Sequence, residues 1–239
     1  MAETLFIADL HLDEHHLETI EVFQNFLTRR VKYSAGLYIL GDLFEFWIGD
    51  DENNPHINYL KNELKKITST GVPIYFMRGN RDFLIGQQFV QQTGCQLLED
   101  ETIIHLNKKR ILLMHGDLLC TEDVRYQQLR EKLHNKTIQQ LYLALPLFLR
   151  RYIAKKGRQK SHQENQQKSF EIIDVSQIAV NEIMQKHNVT CLIHGHTHRP
   201  AHYQWTSQNQ LLQRFVVDMW NTRGNALVFD KEKVELIYF

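Results

Sequence analysis

The chain has 239 residues, 43% of them hydrophobic, and a formal net charge of zero. That is enough for one domain with a core of its own, and the overall charge selects no particular partner. Its three cysteines, Cys95, Cys120 and Cys191, form no CxxC pair and are odd in number, which argues against a disulfide framework and suits a reducing compartment. No apolar run approaches the roughly 20 residues needed to span a bilayer, and the N-terminus lacks the order of a signal peptide, so a cytosolic protein is expected.

Taken in chain order, residues 4–8 read as a strand. Residues 16–31 read as a helix, with Leu17, Ile20, Phe23, Phe26 and Leu27 at helical spacing. Residues 37–40 form a second strand and 57–70 a helix ending at Gly71. A third strand, 73–77, precedes a short helix to about Gln92. Segments 102–106 and 110–114 flank Asn107, Lys108 and Lys109 as a hairpin. Residues 120–187 read as nearly continuous helix, broken near Pro146 and Gly157. Strands return at 190–193, 201–205, 211–218, 225–229 and 234–238, and no internal repeat is present. The expected architecture is α/β: a two-sheet αββα sandwich, one domain over 1–239, with a helical lid insertion at about 120–187.

Five short motifs follow directly on five of these strands: Asp9-Leu10-His11, Gly41-Asp42, Gly79-Asn80-Arg81-Asp82, His115-Gly116 and Gly195-His196-Thr197-His198. Ligands of α/β folds bind beyond the carboxyl ends of strands. Asp, His, Asp, Asn, His, His and His delivered there read as a two-metal site. Two cations about 3.5–4 Å apart need a shared ligand, and the carboxylate of Asp42 is the candidate bridge. Asp9 and His11 project toward one cation, Asn80 offers a neutral oxygen, and His115, His196 and His198 offer imidazoles. The oxygen–nitrogen set suits Mn²⁺, Fe²⁺ or Zn²⁺ better than Ca²⁺, and the absence of thiolates argues against structural zinc. A lone DxH or HxH is usually structural; five motifs in this order are not. His15, His16, His56, His134, His187 and His202 read as solvated, His105 as part of the hairpin and His194 as a strand-end or supporting residue.

The pattern resembles the calcineurin-like metallophosphoesterase family. The stretches 7–12, 41–51, 79–83 and 194–200 look like its branch that cleaves the pyrophosphate of UDP-linked diacylglucosamine in lipid A biosynthesis, and the likeness covers essentially the whole chain. The resemblance implies two divalent metal ions, Mn²⁺ foremost. Asp9, His11, Asp42 and His198 would hold one, and Asp42, Asn80, His115 and His196 the other. Asp42, Asn80, Arg81 and His115 would be catalytic, with hydroxide held between the metals attacking the α-phosphorus to give UMP and 2,3-diacylglucosamine 1-phosphate. Asn80 and Arg81 would meet the diphosphate; Asp123, Ser161, Asn165, Lys168 and His196 would meet the nucleotide, the glucosamine or their phosphates. Ser161, Asn165 and Lys168 lie i, i+4, i+7 and so share a helix face, whereas Thr121-Glu122-Asp123 equally suits a helix N-terminus.

Arg81 narrows the chemistry. Many members of the wider superfamily carry histidine at this position, where it protonates an alkoxide leaving group. Arginine cannot donate that proton, so a good leaving group such as a phosphate monoester is required, which a pyrophosphate supplies. Arg81 would clamp phosphate oxygens; the plainer alternative is an ion pair with Asp82. In the insertion, the apolar run 141–149 is followed by Arg150, Arg151, Lys155, Lys156, Arg158 and Lys160. An apolar face beside a basic run suits an anionic membrane surface or a lipid substrate, and equally a packed hairpin with a solvated basic face. With the resemblance, the expectation is a monomer at the cytoplasmic face of the inner membrane, with no nucleic-acid partner. Two alternatives remain: another two-metal phosphodiesterase or dinucleoside polyphosphate hydrolase, and a non-catalytic membrane-surface scaffold. Glu45, Trp47, Asp50 and Asp51 match the branch without an assignable chemistry, Trp47 reading as packing.

Overall fold

The computed structural model describes residues 2–167, 174–231 and 233–239, with no side-chain description over 160–167. In chain order the elements are β1 (Thr4–Ile7), α1 (Leu17–Arg29), β2 (Gly36–Leu40), α2 (Pro55–Thr68), β3 (Ile74–Met77), α3 (Gln87–Thr93), β4 (Gln96–Leu98), β5 (Thr102–Leu106) and β6 (Lys109–Leu113). Then come α4 (Val124–Leu133), α5 (Lys136–Leu143), α6 (Leu147–Gln167), α7 (Gln177–Lys186), β7 (Cys191–His194), β8 (Ala201–Ser207), β9 (Gln210–Val216), β10 (Asn225–Asp230) and β11 (Lys233–Tyr238).

Two sheets form, ordered β11-β10-β1-β2-β3-β4 and β5-β6-β7-β9-β8. Strands β1 to β4 run parallel, as do β6, β7 and β9. Side chains alternate across each strand, and the alternation builds three cores. Leu5 and Ile7 of β1 join Phe23, Phe26 and Leu27 of α1 on one face. Phe6 and Ala8 turn to the other face, meeting Ile111, Leu113, Ile193 and Phe215 between the sheets. Leu112 and Met114 look outward and are covered by Val180 and Met184 of α7. The result is the α/β two-sheet sandwich with helices on both outer faces that the sequence pattern predicts.

Several expectations need correction. Strand β4 pairs with β3 but is only three residues long, too short for its alternation to be read. Gly157 does not break α6, which runs through it; the position is open, so glycine there costs about 1 kcal/mol against alanine without ending the helix. The interruption that the sequence hides is at Asn135, whose side chain accepts from Thr137 N and Ile138 N and caps α5. Within the span 120–187, α7 packs on a sheet through Val180 and Met184. Among the described residues, no helix is long and apolar enough to cross a membrane.

The basic run of α6 is also less exposed than its sequence implies. Arg150 is 2% exposed. It donates to Ile48 O at 2.7 Å and Leu145 O at 2.9 Å, and its guanidinium grips the Asp51 carboxylate, Nη1 to Oδ1 at 2.8 Å and Nη2 to Oδ2. Gly49 runs beneath it at φ +138°, where a Cβ would overlap the guanidinium. Arg151 meets Glu52 at 3.2 Å and Arg158 meets Glu45 at 2.7 Å. Three of the six cations therefore pair with the loop carrying residues 45–52 and fasten α6 to it, Arg150 from a buried position and Arg151 and Arg158 from the surface. Removing Arg150 would strand two carbonyls, each costing about 1–3 kcal/mol if left unpaired. The Arg150→Ala variant is accordingly expected to lose about 2–4 kcal/mol, a fall of roughly 4–16 °C in Tm; a melting curve within about 1 °C of wild type would contradict this anchoring.

Candidate metal centre

Asp9, Asp42, His115 and His196 each stand two residues beyond the end of β1, β2, β6 and β7, and Asn80 stands three beyond β3. Backbone bonds carry the sheets past their last regular pairs: Asp9 N to Gly41 O at 3.1 Å, His11 N to Asp42 O at 3.0 Å, and Gly195 N to His115 O at 2.8 Å. The exits of both sheets are thereby drawn into one hollow, which is why residues 187 positions apart, His11 and His198, bring their Nε2 atoms within 3.5 Å.

The backbone is strained here. Among the described residues, eleven non-glycine residues have left-handed φ. Six of them lie in hairpin turns or just after α7: Asn107, Lys108, Asn188, Gln208, Asn209 and Lys231. The other five are Asp9 (55°), His11 (49°), Asp42 (53°), His196 (69°) and His198 (54°). Each costs roughly 1–2 kcal/mol, and such strain gathers where function over-determines a conformation. Gly79 completes the approach: a Cβ there would collide with the carboxylate and backbone N of Asp42.

Two triads have ligand atoms all within 4.8 Å of one another: Asp9, His11 and His198, and Asp9, Asp42 and His115. Asp9, rather than Asp42, is common to both. One Asp9 oxygen, Oδ2, accepts from His196 N at 2.7 Å; the other, Oδ1, faces His198 Nε2 at 3.5 Å and is buried without a hydrogen-bond partner. A buried carboxylate oxygen left so, with imidazole nitrogens beside it, fits a divalent cation, and the mixed donor set suits a transition metal.

Electrostatics agree with that fit. Burial raises the Asp9 carboxyl, but the histidines around it, His198 first, hold it below the usual carboxylate range. Burial opposes charge on His115 too, yet Asp42, Asp9 and Asp117 bring it up to about 9. His115 Nδ1 lies 2.8 Å from Leu40 O and its Nε2 2.9 Å from Asn80 Oδ1. A carbonyl bound at Nδ1 fixes which nitrogen is presented to a metal. Burial, with His115 beside it, pushes His196 down to about 3, so its imidazole is neutral.

Residues that sequence reasoning left without a role complete the surroundings. Asp82 is wholly buried and accepts from Gly79 N at 2.7 Å and Leu43 N at 2.8 Å, with Asp42 N and Phe44 N at 3.4 and 3.5 Å. It therefore organises the two loops and does not pair with Arg81. Arg81 instead donates its backbone N to Asp42 Oδ1 at 2.8 Å and turns its guanidinium toward Glu45, 3.9 Å away; its Nε is buried without a hydrogen-bond partner. Glu45 also stands 3.2 Å from His11 Nδ1, so it supports His11 and faces two arginines at once. Trp47 packs on Phe44 and Phe89 as expected, and its Nε1 donates to Asp50, which accepts from Gly86 N and Phe89 N and ties the loop to α3. On the opposite side, buried Asp117 accepts from Tyr126 Oη and Arg130 Nε, both at 2.6 Å. The signal for Glu45 and Asp82 was their place inside the 41–51 and 79–83 motifs; for Asp117 it was its position two residues after His115.

Asp123 lies apart from the triads as the N-cap of α4, its Oδ1 accepting from Tyr126 N at 3.1 Å. Ser161 and Asn165 fall within α6, but their side chains, like all of Lys168, lie outside the described residues. Two histidines read as solvated are in fact half-buried and engaged: His187 lies 2.5 Å from Glu101 Oε2, and His134 stacks on Phe83.

A model of the calcineurin-like phosphoesterase family matches residues 3–200. Curated relatives described as UDP-2,3-diacylglucosamine hydrolase, from Escherichia coli O7:K1 and Shigella sonnei, are each 47% identical over 236 residues, covering 99% of this chain and 98% of theirs. Among solved structures, one described as a novel archaeal phosphodiesterase aligns with a TM-score of 0.47 and 11% identity, covering 99% of this chain and 98% of that one. By its family match and its full-length relatives, the chain belongs to the calcineurin-like phosphoesterase family and is a metal-dependent hydrolase.

Proposed function

We propose that this chain hydrolyses the diphosphate of UDP-2,3-diacylglucosamine to UMP and 2,3-diacylglucosamine 1-phosphate in lipid A biosynthesis. What carries the reading is the 47% identity to relatives of that name over 99% of the chain, in a sequence where all seven ligand positions are filled.

Asp9, His11, Asp42 and His198 would hold one cation, and Asp42, Asn80, His115 and His196 the second, with Mn²⁺ the favoured metal. Bound there, the cations supply an activated water and neutralise phosphate charge. The chain's own groups do the rest. Asp82 fixes the loops that carry Asp42 and Asn80. Glu45 and the Leu40 carbonyl orient the rings of His11 and His115. Arg81 presents guanidinium donors to the diphosphate without being able to protonate a leaving group, which supports anhydride cleavage over ester cleavage.

The helices α4 to α6 are read as the lid. Leu141, Phe148 and Tyr152 are 67%, 73% and 59% exposed on them, apolar surface suited to acyl chains and to the cytoplasmic face of the inner membrane. Ser161, Asn165, Lys168 and His196 would meet the sugar and its phosphate, while Asp123 acts through the helix it caps. Such a protein needs no partner subunit, and a monomer is expected.

The test is hydrolysis by metal-stripped protein with Mn²⁺ restored, comparing UDP-2,3-diacylglucosamine, UDP-N-acetylglucosamine and bis(p-nitrophenyl) phosphate, with products identified by mass. UMP release from the diacylated substrate alone is expected; equal or faster turnover of the others would make this a broad phosphodiesterase. Replacing Arg81 by alanine should lower kcat on the diacylated substrate by about 10²–10³, and an unchanged rate would remove the leaving-group argument. Asp42→Ala should bind neither cation by elemental analysis, whereas His198→Ala should lose one; full loading of the Asp42 variant would refute its shared position.

A further inference from the structure

Beside the metal-ligand cluster lies a second hollow, a cavity of about 310 Å³ between the loops after β1 and β2 and the basic face of α6. Its walls include Leu12, Phe44, Phe46, Glu52, Lys155 and Arg158. It adjoins the candidate centre through the chain itself. Leu12 follows His11, Phe44 stands two residues after Asp42, and the two loops bridge at Leu12 and Phe44. Arg158 stands at the junction, bound to Glu45, which in turn supports His11.

The lining is mixed. Phe46 presents an aromatic ring that is 40% exposed. Lys155 and Arg158 bring positive charge. Glu52 is 5% exposed: its Oε1 meets Arg151 at 3.2 Å, but its Oε2 is buried and has no hydrogen-bond partner. A buried carboxylate oxygen in that condition calls for a donor. An aromatic face, a buried acceptor and cations at the end nearest the candidate metal ligands match the three parts of a ribonucleotide: base, ribose hydroxyl and phosphate. The volume sits at the low end of small-ligand sites, which run from about 300 Å³. That suits one nucleoside, and charged walls do not suit acyl chains.

We propose that this cavity is the subsite for the uridine half of the substrate. Phe46 stacks on the base, Glu52 Oε2 accepts from a ribose hydroxyl, and Lys155 and Arg158 lead the α-phosphate to the cluster. The assignment rests on the reading above. Acidic residues hydrogen-bond the ribose 2′-hydroxyl in dinucleotide folds, and a carboxylate so placed here would favour ribose over deoxyribose.

Calorimetry on the metal-loaded protein with UMP, 2′-deoxyuridine 5′-phosphate and inorganic phosphate tests it. Wild type should bind UMP roughly tenfold or more tighter than the deoxynucleotide, and tighter than phosphate. Phe46→Ala should weaken both nucleotides by about tenfold while leaving phosphate binding unchanged. Glu52→Ala should abolish the difference between the two nucleotides. Wild-type UMP affinity in both variants, or UMP binding no tighter than phosphate, overturns the proposal. Because Phe46 is partly exposed, its variant remains informative even where loss of buried Glu52 unfolds the chain. If wild type releases UMP from the diacylated substrate and these results are negative, the function stands and the subsite is wrong; if it releases none, both fall together.

Discussion

Three carboxylates, Asp9, Asp42 and Asp82, lie within one hollow with almost no exposure, and their charge is the constraint around which the molecule is arranged. Buried carboxylates do not stay charged without compensation. Asp82 is compensated by backbone N–H groups, and even so burial and the neighbouring Asp42 raise it to about 7. Asp9 keeps a buried oxygen with no hydrogen-bond partner, His198 Nε2 standing 3.5 Å from it. The remedy is a ring of imidazoles and, in a metal-dependent hydrolase, divalent cations, whose charge the protein can answer only by bringing together strand ends of two separate sheets.

That convergence has a conformational cost. Five residues leave their strands in left-handed backbone, and Gly79 gives up its side-chain volume so that its loop can lie against Asp42. At roughly 1–2 kcal/mol each, these residues would take a large share of a net stability of about 5–15 kcal/mol if the three apolar cores did not offset them. Among the described residues, all five left-handed positions outside turns and helix ends lie on the side of the sandwich where chemistry is proposed. The remaining left-handed residues are turn residues with short polar or long flexible side chains.

Much of this was legible in the sequence. Strand alternation such as Leu5-Phe6-Ile7-Ala8 announces a sheet covered on both faces, and the five motifs mark the strand ends. Lost from view were features that depend on distance in space. Nothing local says that Arg150 faces Asp51 or that Arg158 reaches Glu45, so a basic run that reads as a membrane-facing surface is in part an internal clasp. Asn135 was hidden because an asparagine between two helical stretches is read as one polar residue among many until its side chain is seen to cap α5. That Asp9 stands in both close groupings of carboxylates and imidazoles depends on side-chain direction, which spacing does not carry.

The clasp also gives the sequence-level distinction between core and lid a physical form. Asp51, Glu52 and Glu45 follow Asp42 on the same loop, so the segment that positions a candidate metal ligand also holds α6. The helices outside the sandwich and the strand ends that carry the candidate ligands are thereby mechanically joined. In the proposed reaction, water is delivered at the strand-end centre to the α-phosphorus, with the lipid phosphate as leaving group. Hydrolysis of UDP-2,3-diacylglucosamine in ¹⁸O-enriched water, with both products weighed by mass spectrometry, measures this directly. The label is expected in UMP and not in 2,3-diacylglucosamine 1-phosphate; label in the lipid phosphate would contradict attack at the α-phosphorus.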